Sequence, residues 1–159
     1  ARFYICHESS NYKTNEKKIK KIIKNERNLG LKNKRIYQVF FKKIQEQKNK
    51  LLKKLLDLKY KNKKIFGYGA STKGNILLEY FGINQKIIDY IAERNPEKYG
   101  KFTPSGKIPI ISEATARRLK PDYYLVLPWH FKREILSREK MQIKKGVKFI
   151  FPLPKLKVH

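Results

Sequence analysis

The pattern of polar and apolar positions changes period near residue 62. Before it, apolar residues recur at helical spacing. Ile19, Ile22 and Ile23 share one face of a first helix, which Thr14 or Asn15 caps and Gly30 stops. From 33 to 58 a longer helix carries Tyr37, Phe41, Ile44, Lys48, Leu51, Leu55 and Leu58 at alternating gaps of four and three, with Lys48 interrupting the seam. The stripe falls short of the ~3–4 heptads that argue a coiled coil, so it reads as a helix laid on its own domain or on an upstream one. Ahead of both helices, residues 3–6 form a run of β-formers, read as a short strand.

Beyond residue 62, strands and helices alternate. Residues 64–68 read as a strand, 73–80 as a helix and 87–92 as a second strand. Asn95-Pro96 then breaks the chain, and 99–107 is a loop. A short extended segment at 108–111 leads to a helix over 113–119, capped by Ser112 with Glu113 in its first turn. Residues 123–127 are the clearest buried strand. A helix over 131–142 and a strand over 147–151 follow, ended by Pro152 and Pro154. Strands separated by single helices are βαβ units, and right-handed crossovers wind them into a parallel sheet. The predicted fold is α/β: a small Rossmann-like parallel sheet of about four strands with flanking helices, preceded by an N-terminal strand and a helical arm. The arm covers 1–62 and the Rossmann-like domain 63–159.

The length of 159 residues suits one domain, and 40% hydrophobic residues can fill a core. No apolar run reaches the ~18 residues of a bilayer span and no signal peptide opens the chain, so no membrane partner is expected. Cys6, the sole cysteine, rules out an internal disulfide and a cysteine-ligated zinc cluster, and it points to a reducing, cytoplasmic compartment. His7 and Glu8 beside it cannot converge with it on one ion. Met141 is the sole methionine, and strand-like residues start at once, as expected of the C-terminal piece of a longer protein. Lys and Arg outnumber Asp and Glu 39 to 13. That excess suits a basic module gripping nucleic acid or an acidic partner. It is mostly Lys rather than the bidentate Arg, and densest over 13–64, which favours lysine-decorated helix faces. The charge alone names no partner.

The chemistry-bearing motif is Gly67-Tyr68-Gly69-Ala70-Ser71-Thr72-Lys73-Gly74-Asn75, between the first strand and its helix. Gly67 permits a tight turn. Gly69 and Ala70 leave the backbone uncovered, so amides at the helix N-terminus can meet a phosphate. Ser71 and Thr72 add hydroxyls, Lys73 a charge, and Gly74 close packing on the sheet. Glu93 ends the second strand roughly 20 residues on, where an acid takes ribose hydroxyls, and Arg94 either pairs with it or reaches a phosphate. Thr72 stands where a dinucleotide motif has its last glycine, and Asn75 where a P-loop has Lys, so a full NAD(P) site and an NTPase are disfavoured. A glycine turn serving geometry alone is the other reading. After the strand at 123–127, Trp129 either stacks on a base or sugar ring or packs. His130 either contacts sugar or phosphate or caps the helix that follows.

That glycine motif is followed in order by Ile88-Asp89-Tyr90, Glu93-Arg94-Asn95-Pro96-Glu97-Lys98-Tyr99-Gly100, Ile108-Pro109-Ile110 and Pro121-Asp122-Tyr123-Tyr124-Leu125-Val126-Leu127-Pro128-Trp129. Together they resemble the C-terminal domain of S-adenosylmethionine-dependent C-methyltransferases that act on nucleotide-activated deoxysugars. The likeness covers about the last two-thirds of the chain, and Arg2-Phe3-Tyr4-Ile5 resembles the strand closing that family's preceding methyltransferase domain. The resemblance implies that a nucleotide-sugar and an upstream methyltransferase domain are the partners. It also implies that S-adenosylmethionine and the acid–base groups belong to that upstream domain, and that this chain alone binds no methyl donor and has no activity. Glu93 stands where the family usually has aspartate, and His130 where it usually has asparagine.

Overall fold

A computed structural model describes residues 4–159, which form two compact units divided between Lys42 and Lys43. In the first unit, helix α1 (Glu16–Asn28) is capped by Asn15, whose side-chain oxygen accepts the Lys18 amide at 3.1 Å. Gly30 takes the left-handed conformation, φ 68°, that ends it. Helix α2 (Lys34–Tyr60) starts in this unit and runs into the second. The strand expected over 3–6 is not formed at Tyr4, Ile5 or Cys6, which are exposed and in no ladder. Extended chain without a neighbour leaves its amides to water. Arg2 and Phe3 lie outside the described residues.

The second unit is built on a six-stranded sheet in the order β3-β2-β1-β4-β5-β6. The strands are β1 (Ile65–Tyr68), β2 (Ile91–Glu93), β3 (Ile110–Ser112), β4 (Tyr123–Val126), β5 (Lys148–Phe151) and β6 (Lys157–Val158). All pairs are parallel except β5 with β6. The expected sheet of about four parallel strands thus becomes a mixed sheet of six. The extended segment near 110 pairs in full with β2, and the chain returns after Pro154 to add an antiparallel edge. The strand expected over 87–92 is shorter, because the Ile87 and Ile88 amides both bond the Asn84 carbonyl in a turn. Ile88 is buried all the same.

Alternation along the strands separates two cores. Ile65, Ile91, Leu125 and Ile150 face Leu51, Leu55 and Leu58 of α2 and Leu77, Leu78 and Phe81 of α3 (Thr72–Phe81). Phe66, Tyr68, Tyr124, Val126, Phe149 and Phe151 face Ala116 of α4 (Glu113–Arg118) and Ile135 of α5 (Lys132–Arg138). The C-terminal half of α2 is therefore laid on its own domain. Lys48 breaks its apolar seam for a reason: its Nζ donates to the Tyr80 carbonyl at 2.8 Å, near the C-terminus of α3, and lies 5.2 Å from the Tyr80 ring. The helix expected over 131–142 is divided. A 3-10 turn at Trp129–Phe131 precedes α5, and Glu139 separates α5 from α6 (Lys140–Lys144). Sequential order along the sheet reverses between β1 and β4, the switch point where such sheets leave a crevice outside their carboxyl ends.

Candidate functional site

The loop after β1 opens that crevice, and its glycines do three different jobs. Gly67 is within β1, inside the strand expected over 64–68, and it is not the residue that makes the turn. A Cβ there would stand 2.3 Å from Cδ1 of Ile91, so it makes room for the neighbouring strand. Gly69, at φ 80°, makes the turn. Gly74 brings α3 onto the sheet, since a Cβ there would fall 2.5 Å from Cβ of Leu127. Ser71 caps α3, its hydroxyl oxygen accepting the Gly74 amide at 3.1 Å.

The loop amides are mostly taken by the protein itself. Gly69 donates to the Ala92 carbonyl at 2.8 Å and Ser71 to that of Gly69 at 2.9 Å. The Ala70 amide donates to Glu93 Oε2 at 2.7 Å. The other carboxylate oxygen of Glu93 accepts the Arg94 and Asn95 amides at 2.7 and 2.9 Å. Lys98 stands 3.7 Å from Glu93 and donates to the Ala70 carbonyl at 2.8 Å. Burial pushes the Glu93 carboxyl up, but the amides of Asn95, Ala70 and Arg94 and the charge of Lys98 outweigh it and hold it below the usual carboxylate range. The anion seated on Ala70 is therefore Glu93. Of the amides from Gly69 to Asn75, only those of Thr72 and Lys73, in the first turn of α3, keep no protein acceptor.

Beside this loop lies a cleft of about 430 Å³, walled by Gly69, Ala70, Ser71, Glu93 and Arg94 on one side and by Phe131, Glu134 and Arg138 on the other. Its charges alternate. Arg94, Lys98 and Arg138 stand among Glu93, Glu113 and Glu134. A network pins the α5 side. Arg138 donates to Glu113 at 2.6 Å and also to the Tyr68 hydroxyl. Tyr68 in turn donates to Glu139 at 2.8 Å, and Arg117 bridges Glu139 and Glu113 at 2.9 and 3.1 Å. Glu139, at the break between α5 and α6, is buried. Burial, with the charge of Glu139, raises the Glu113 carboxyl despite Arg117 and Arg94. The Arg94 guanidinium, by contrast, has no protein acceptor among the described residues.

Residues 1–154 match the family model of the C-methyltransferase C-terminal domain. The chain belongs to that family. It is also 40% identical over 96 residues to C-methyltransferase NovU of Streptomyces niveus, a stretch that is 60% of this chain and 23% of the relative. The chain thus spans less than a quarter of that relative's length in the alignment.

Within this C-methyltransferase C-terminal domain, the residues singled out in the sequence divide. Gly69, Ala70, Ser71, Glu93 and Arg94 meet at the cleft. Thr72 and Lys73 are exposed on α3 and outside its walls, whereas Gly67 and Gly74 are buried. Trp129 packs against both cores. His130 is exposed beside Phe131, ring centroids 4.3 Å apart, and no side chain caps the helix that follows. Tyr68, Lys98, Glu113, Glu134 and Arg138 were not singled out. One signal was available for the glutamates: a chain with only 13 acidic residues puts three of them at 113, 134 and 139, in or beside the two helices that follow β3 and β4.

Proposed function

We propose that this domain supplies the nucleotide-sugar-binding wall of a methyltransferase. The complete enzyme would move a methyl group from S-adenosylmethionine to a ring carbon of a nucleotide-activated deoxysugar, through an enolate made by removing the proton beside the ketone. The observation that carries the reading is the unpaired Arg94 guanidinium at a cleft that also presents Glu113 and Glu134. A nucleotide-sugar offers both complements: a diphosphate for a free guanidinium, and hydroxyl donors for carboxylates. Arg94 takes the diphosphate, Glu113 and Glu134 accept sugar hydroxyls, and Arg138, held by Glu113, keeps that wall in place.

The residues of this chain do not fit the methyl donor. Glu93, where an acid takes ribose hydroxyls, is committed to backbone amides, and it occupies the Ala70 amide that would meet a donor carboxylate. The donor and the acid–base groups are the work of the rest of the polypeptide. This chain alone is without methyltransferase activity. Kinetics of the complete enzyme test the assignment. Arg94→Ala is expected to raise KM for the nucleotide-sugar about tenfold, the ~1.4 kcal/mol of one charge-assisted contact, with KM for S-adenosylmethionine unchanged. An unchanged nucleotide-sugar KM, or an equal rise in both, overturns it.

A further inference from the structure

Helix α1 has 13 residues and none of them is buried. Isolated helices shorter than ~12–15 residues are marginal in water, and helices in proteins draw most of their stability from a packed apolar face. That face exists. Ile19, Ile22 and Ile23 are 45%, 54% and 42% exposed, and Tyr37, Phe40 and Phe41, spaced alike on the first half of α2, are exposed too. We propose that this face is the surface by which the domain docks on the remainder of its C-methyltransferase polypeptide, an inference that rests on the function proposed above.

The length of the relative argues for that occupant. More than three-quarters of the Streptomyces niveus enzyme lies outside the stretch aligned to this chain. The arm's charge argues against a second copy. Lys18 and Lys20 flank the isoleucines of α1, while Lys17, Lys21 and Lys24 lie on its far side and Glu26 on the isoleucine face. The helix as a whole is strongly basic, so two copies brought together would set like charges against each other. The complementary surface is an apolar strip edged by acidic residues.

Melting of the complete enzyme and of this chain, each with and without Ile22→Gln and Phe40→Gln, tests the proposal. Glutamine keeps helix propensity, so the change is read at the face alone. The expected result is a Tm lowered by ~3 °C or more in the complete enzyme and moved by less than ~1 °C in this chain, where these side chains are exposed. No shift in the complete enzyme overturns the proposal, as does an equal shift in both. A Tm of the isolated chain that rises with its concentration, and falls on substitution, assigns the face to a second copy and overturns it too. If the complete polypeptide transfers no methyl group yet shows the unequal shift, the function fails and the docking surface stands.

Discussion

Glu93 does for the turn after β1 what a bound anion does at other glycine turns: it satisfies the amides of Ala70, Arg94 and Asn95 with one carboxylate. Hydrogen bonds to a charged acceptor are worth ~1.5–3 kcal/mol each in favourable cases. Glu93→Gln keeps an acceptor oxygen and loses the charge, so it is expected to cost ~1–2 kcal/mol at neutral pH by urea unfolding. The sign with pH follows from the depressed carboxyl. Its stabilisation is present above the unfolded-state value and is lost as pH falls through the lower folded-state value. The gap between wild type and Glu93→Gln should therefore close on acidification, and a gap that stays constant to low pH contradicts this role. That an acid ends the second strand was legible in the sequence; where its carboxylate turns was not. Ala70 and Glu93 stand 23 residues apart and become neighbours only through the pairing of β1 with β2. The same holds for the network of Tyr68 in β1, Glu113 and Arg117 in α4, and Arg138 and Glu139 at the end of α5. The i,i+4 spacing of Glu113 and Arg117 is local, but the three parts of the chain meet only in the fold.

At the scale of elements, α2 shows how far a periodic stripe can be read. Its spacing gave one continuous helix, and Leu51, Leu55 and Leu58 are buried as the pattern requires, while Tyr37 and Phe41 on the same seam are exposed. Leu55→Ala in this chain is expected to lower unfolding free energy by ~2–5 kcal/mol, the usual cost of emptying a leucine site in a core. Tyr37→Ala is expected to change it by less than ~1 kcal/mol, even with its hydroxyl bond to Leu31 removed. Comparable losses at both positions would contradict the division of the helix. Where the pattern misled, the cause was local competition. Ile87 and Ile88 look like strand but bond back to Asn84, and β6 is two residues, Lys157 and Val158, whose strand character comes from lying beside Ile150 and Phe151.

For the whole molecule, topology places the chemistry. The reversal of strand order between β1 and β4 sets the loops after β1, β2 and β4 around one crevice, and the family match identifies the domain that carries it. No helix among the described residues is long and apolar enough to cross a membrane. The most direct test is an amide NMR titration of this chain with nucleoside diphosphate hexoses, with free nucleoside diphosphate and S-adenosylmethionine titrated separately. Saturable shifts at Ser71, Arg94, Glu113 and Glu134 with the nucleotide-sugar, and none with S-adenosylmethionine, are the result expected. Shifts confined to α1, or shifts at the cleft with the methyl donor alone, would contradict the account.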